Sequence, residues 1–122
     1  MAVSYFRNNR PWGFFEQFTK DEPSTVKIVT VNKNQSLSLQ LHHHREEYWF
    51  VLDGEAEVTI NGVVSIGKPG DSFFVPKNAS HRLAAKDKTL RVLEIAFGQF
   101  DESDIVRLED RYGRAPSVSP SP

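Results

Sequence analysis

The chain has 122 residues, enough for one domain around one core. Charged residues make up 25% and the formal net charge is -1, so no overall field draws the chain to nucleic acid or to an anionic membrane. Cysteine is absent, which excludes disulfides and thiolate chemistry and restricts metal ligands to nitrogen and oxygen.

The chain opens on MAVSYFRNNRPWGFF, which lacks the basic-then-apolar order of a secretory signal. No later apolar run approaches the roughly 20 residues that span a bilayer, and the absence of cysteine fits an expected cytoplasmic location. Residues 10–18, RPWGFFEQF, read as an aromatic edge strand or arm, with Trp12 as a packing residue. Eight short runs rich in Val, Ile, Phe and Tyr follow: VKIVTV (26–31), SLSLQLH (36–42), EEYWFVL (46–52), EAEVTI (55–60), VVSI (63–66), SFFV (72–75), HRLAA (81–85) and LRVLEIAF (90–97). Asp53-Gly54, Asn61-Gly62 and Pro69-Gly70-Asp71 punctuate them as turns, Asn61-Gly62 being a strong signal for a tight hairpin. This pattern predicts an all-β sandwich or barrel without a long helix. Residues 101–114, DESDIVRLEDRYGR, form a charged segment in which Ser103 caps a helix or forms a turn, and 115–122 are expected to be a disordered tail.

The run LQLHHHREE carries the chemistry. Alternation along a strand places Leu37, Leu39 and Leu41 on one face, with Gln40, His42 and potentially His44 on the other. A turn near Arg45 returns Glu46 or Glu47 beside them, and His81 follows a proline-containing turn. Two or three imidazoles, a carboxylate and an amide then suit one divalent cation among Zn, Mn, Co, Ni and Fe. The bland alternative is a polar β-face, and Gln40 could as well bond to backbone. In VLEIAFG, Glu94 opposes the face of Leu93 and Ile95. It reads either as a catalytic carboxylate in the interior or as half of an exposed ion pair.

These residues resemble the cupins, whose first motif is G-x5-H-x-H-x3,4-E-x6-G and whose second is G-x5-P-x-G-x2-H-x3-N. Gly70, Pro76, Asn78 and His81 follow the second, with Asn in a glycine slot and Ala85 departing from the closing Asn. Counting back from Gly54 in the first gives Glu47, His42, Gln40 and, in its glycine slot, Asn34. The resemblance thus implies a single-domain cupin barrel over residues 1–114 with Gln40, His42, Glu47 and His81 as ligands. His44 becomes a neighbour of the metal, and His43 faces away.

RPWGFFE, SLQLHHHREEYW, VPKNASHRL, LEIAFG and DIVRLEDRYGR are similar to the C-terminal isomerase module of type II mannose-6-phosphate isomerases, across roughly residues 10–114. The Gly-rich guanylyltransferase motif of the two-activity members does not occur in this sequence. Tyr48 stands where members often have His, a change expected to alter pocket polarity. The resemblance implies metal-dependent interconversion of mannose 6-phosphate and fructose 6-phosphate, with Glu94 or His44 moving the proton. The tail DRYGR would help close the sugar-phosphate site through Arg111, the alternative being a solvated, charged C-terminus tied down by ion pairs. Arg45, Lys68, Lys77 and Arg82 lie near the presumed mouth. It also implies a homodimer joined through the aromatic arm. The rivals are a non-catalytic sugar-binding cupin, a cupin dioxygenase with three histidines, and a metal-free nucleotide-sugar epimerase.

Overall fold

The computed structural model describes residues 5–99, 101–110 and 112–113. Its regular elements are all strands, as the alternation predicts, and no helix among the described residues is long and apolar enough to cross a membrane. Among the described residues, strands β1 (Phe6–Arg10) and β2 (Gly13–Gln17) pair only with each other, as a hairpin. The body comprises β3 (Ser24–Val31), β4 (Leu39–Leu41), β5 (Arg45–Asp53), β6 (Ala56–Ile60), β7 (Val63–Gly67), β8 (Ser72–Val75), β9 (His81–Ala85), β10 (Leu90–Gly98) and β11 (Val106–Glu109). They form two antiparallel sheets, ordered β3-β10-β5-β8 and β11-β4-β9-β6-β7. Successive strands repeatedly change sheet, as in a jelly roll.

Turn chemistry fixes the registers. Asn61 and Gly62 both take positive φ, 50° and 81°, and join β6 to β7 as an Asn-Gly hairpin should. Asn34 and Asn78, in the two glycine slots, also take positive φ, 63° and 65°. Their short side chains make that region accessible.

Alternation sorts the side chains into an inner and an outer layer. Val31, Val51, Ala56, Val58, Leu83, Leu90 and Val92 form the sealed core between the sheets. Burying each larger member stabilises the fold by about 1.5–3 kcal/mol. Farther along the same strands the inner positions turn polar: Lys27 on β3, Gln40 on β4, Arg45 and Glu47 on β5, His81 on β9 and Glu94 on β10. The interior therefore has a dry end and a polar end.

Three local expectations change. The run 36–42 pairs as β4 only over Leu39–Leu41, with Ser36 in an isolated bridge to Ala84. Between them Leu37 packs against the core rather than sharing the half-buried face of Leu39 and Leu41. Trp12 does not pack: at the tip of the β1–β2 hairpin it is 72% exposed. Tyr48 points out of the inner layer, against Tyr5 and Phe18, so it does not set the polarity of the pocket. Ser103 takes the turn alternative, its N–H and hydroxyl both donating to Asp101 Oδ1. Residues 115–122 lie outside the described residues.

Candidate metal centre

His42, Glu47 and His81 converge at the polar end, each with one ligand atom within 4.8 Å of the others. Glu47 reaches them from β5, where parity with Trp49 and Val51 points it inward. Its Oε2 lies 3.4 Å from His42 Nε2 and its Oε1 3.9 Å from His81 Nε2. All three residues are buried.

The outer nitrogens decide which imidazole atoms face inward. His42 Nδ1 lies 2.6 Å from the Asp104 carbonyl oxygen and His81 Nδ1 2.9 Å from that of Ala79. A carbonyl only accepts, so each Nδ1 carries the proton and each Nε2 keeps its lone pair. Burial also holds both imidazoles below their ordinary pKa, against the opposing pull of Glu47. Backbone partners of this kind fix ring orientation in metal sites. Gln40, opposite His81 in the β4–β9 pair, donates its amide to Ser38 O at 3.5 Å, leaving its carbonyl oxygen for a cation. The donor set of two imidazole nitrogens and a carboxylate, with an amide oxygen adjacent, therefore fits a divalent metal.

The two histidine segments are tied together. Asn78 N–H donates to His42 O at 2.8 Å, and Asn78 Oδ1 lies 2.7 Å from His43 Nδ1. Asp104 completes the turn, its carboxylate accepting from the N–H groups of His43 and His44 at 2.9 and 3.0 Å. Trp49 Nε1–H donates to Glu47 Oε1 at 3.1 Å, so this core indole also orients the carboxylate.

A cavity of about 240 Å³ opens onto the cluster, lined in part by Gln40 and His81 from the five-stranded sheet and by Glu47 and Glu94 from neighbouring strands of the four-stranded sheet. Glu94 is buried, which takes the interior alternative of its two sequence readings. Burial, reinforced by the charge of Glu47, pushes its pKa up to about 7. A wider depression lined by Glu57, Thr59, Arg82 and Glu109 lies on the outer face of the five-stranded sheet, away from these ligands.

The other expected site residues divide between those that line the cavity and those that do not. His44 is exposed and does not line the cavity, because the strand alternation that would have aimed it inward ends at Leu41. A three-histidine set is consequently not assembled among the described residues. Arg45, expected at the mouth, is buried with its guanidinium inside the ligand cluster. Arg82 reaches the cavity rim but pairs with Glu109 at 3.3 Å. Lys77 sits on the turn before β9 and lines a separate depression with Glu22 and Glu46. Arg111 lies outside the described residues. Conversely, Lys27 and Arg107 line the cavity without having been singled out. Lys27 was accessible from sequence, since it alternates in phase with Val29 and Val31. Arg107 was not, because the charged segment gave no clear strand signal for β11.

The family described as mannose-6-phosphate isomerase C-terminal matches residues 2–110. The mannose-1-phosphate guanylyltransferase ManC of Salmonella typhimurium is 43% identical over 107 residues, covering 86% of this chain and 22% of that protein. The alginate biosynthesis protein AlgA of Pseudomonas aeruginosa is 40% identical, with coverages of 86% and 22%. The chain thus spans less than a quarter of the length of these relatives. A putative sugar phosphate isomerase from Acidithiobacillus ferrooxidans superposes with a TM-score of 0.57 at 25% identity, over 64% of this chain and 51% of that one. The cupin domain of Schizosaccharomyces pombe Cnp3, at 13% identity and a TM-score of 0.60 over 81% and 89% of the two chains, shares the fold alone. With both sheets, the two motif turns and the family match in agreement, the chain belongs to the mannose-6-phosphate isomerase C-terminal family and has a cupin fold.

Proposed function

We propose that the chain is a metal-dependent aldose–ketose isomerase acting on a sugar phosphate, with mannose 6-phosphate and fructose 6-phosphate as the pair. The observation that carries this reading is one cavity shared by a candidate metal-ligand cluster and a second buried carboxylate, Glu94, whose pKa burial raises. His42, Glu47 and His81 would hold the cation, with Gln40 as a fourth donor. When bound, a divalent cation supplies Lewis-acid polarisation of the substrate oxygens.

Glu94 is the general base in this reading. Its carboxylate takes the proton from C2 of the open-chain aldose, forming a cis-enediol, and returns it to C1. The hydroxyl proton on O2 passes to O1, so the product differs only in the positions of its hydrogens. A base with a pKa near the working pH combines a useful ionised fraction with a real driving force for proton transfer. Lys27 and Arg107 on the cavity wall are suited to the phosphate, and such remote contacts orient the reacting carbons. Tyr48 and His44 take no part.

The test is a coupled assay of fructose 6-phosphate formation from mannose 6-phosphate, using protein loaded with Mn, Co, Zn or Ni. Metal-dependent turnover that is lost in Glu47→Ala supports the reading. Absence of turnover with every metal overturns it, and sugar binding without turnover would then favour a binding cupin.

A further inference from the structure

Arg45 begins β5 and sends its side chain inward, where charge is costly unless paired. Its Nε donates to Glu47 Oε2 at 3.1 Å, its Nη2 to His42 Nε2 at 3.2 Å, and its Nη1 to the Asp101 carbonyl at 3.4 Å. Two of these acceptors are the atoms of the candidate metal centre. His42 Nδ1 is committed to Asp104 O, so Nε2 offers the single in-plane lone pair of that ring. One lone pair takes one partner, either an N–H or a cation.

We propose that Arg45 is an internal competitor for the metal. A divalent cation engages His42 and Glu47 only as the guanidinium releases His42 Nε2, and the displaced Nη2 then serves an anion in the cavity that Arg45 already lines. This rests on the reading of His42, Glu47 and His81 as ligands. With no cation bound, the guanidinium neutralises Glu47, which would otherwise stand as an uncompensated charge in a site 2% exposed. With a cation bound, that neutralisation is supplied by the ion, and the Nη2 that had bonded His42 Nε2 is turned toward the cavity while Nη1 stays by the Asp101 carbonyl. Cation and anion therefore bind with mutual reinforcement, since linkage between two sites is reciprocal.

The opposite role predicts the opposite sign. Were Arg45 a support that merely aims Glu47 at the metal, removing it would weaken metal binding, as loss of such orienting partners does. Calorimetric titration of the full chain with Zn²⁺, with and without sulfate as a soluble tetrahedral dianion, separates the two. We expect Arg45→Met to bind zinc about tenfold tighter than wild type and to lose any sulfate dependence of that affinity. Zinc affinity that is equal or weaker in Arg45→Met overturns the proposal. Should that variant not fold, nitrogen-15 NMR of the wild-type side chains gives the same decision. Zinc must shift the Arg45 Nε–H signal together with His42 Nε2, and an Arg45 signal that stays put while His42 Nε2 responds overturns competition. Neither readout uses turnover. Weaker zinc binding by Arg45→Met in a chain whose wild type is an active isomerase sinks only the competition, whereas displacement without turnover sinks only the isomerase reading.

Discussion

The carbonyl oxygen of Asp104 accepts a hydrogen bond from His42 Nδ1 at 2.6 Å, across 62 residues of sequence. The same residue's carboxylate accepts the N–H groups of His43 and His44. Asp104 thus fixes the tautomer of a candidate ligand and the turn that carries it. Asp104→Ala leaves that carbonyl in place and removes only the carboxylate, so it is expected to keep the fold, lose about 1–3 kcal/mol of stability, and weaken metal binding through the loosened turn. Thermal unfolding and zinc titration check this together. Unchanged zinc affinity alongside reduced stability would show that the turn does not hold the site.

Gly54 closes the first motif with φ +82°, and a Cβ there would meet the Thr89 carbonyl oxygen at 2.5 Å and Leu90 Cα at 3.1 Å. Both contacts are backbone, on the chain leading into β10, so no side-chain rotation relieves them. Gly54→Ala is expected to destabilise by about 2–4 kcal/mol, from the left-handed conformation together with the overpacking. Gly62→Ala has similar φ but meets nothing within 4 Å, so it carries the conformational cost alone. Equal denaturation midpoints for the two variants would refute the steric half of this account.

These glycines mark what the sequence could and could not disclose. Turn residues are legible because few side chains tolerate positive φ, so Asn61-Gly62, Gly54 and even Asn78 in its glycine slot announced the connections. Inner positions on long strands were legible by parity, which aimed Glu94 opposite Leu93 and Ile95. Parity failed where pairing stopped. His44 lies on a bend just beyond β4, where alternation no longer assigns a face. Arg45 reads as a cation at the mouth, and not deeper, because composition cannot show that its neighbours Glu47 and His42 compensate its charge. Asp104 and Arg107 were missed for a third reason: their partners, His42 and the cavity wall, are long-range neighbours that a charged terminal segment does not advertise.

Among the described residues the β1–β2 hairpin pairs with no other strand, and Trp12, Phe14 and Phe6 on it are 72%, 44% and 41% exposed. A lone two-stranded hairpin is marginal in water. The outer face of the four-stranded sheet is also apolar, with Val26 and Ile28 each more than half exposed. A homodimer in which the hairpin of one copy covers apolar surface of the other accounts for both features. Sedimentation equilibrium is expected to show a dimer, and Trp12→Ser with Phe14→Ser to shift it toward monomer. A wild-type monomer at high concentration would sink the idea.

Glu94 gives the sharpest pH signature. Its pKa rises from 4.5 to about 7 through burial and the nearby charge of Glu47. The folded chain therefore holds a proton that the unfolded chain has lost between these values. Its contribution to stability is intact below about 4.5 and disappears as the pH rises through about 7, a change of about 3 kcal/mol. His42 and His81 act in the opposite sense, since burial lowers their pKa. Their contribution is present above the ordinary value of 6.5 and lost as the pH falls. The two trends offset each other in wild type, so the variant is needed to separate them. With chelator present, Glu94→Gln is expected to match wild type near pH 5 and to exceed it near pH 8 by up to about 3 kcal/mol. In the metal-loaded protein, the same substitution is expected to lower isomerase kcat about 10²–10⁴-fold. Denaturant curves that coincide at pH 8 would mean that Glu94 is not a strained buried carboxylate. Retained kcat would mean that another group moves the proton.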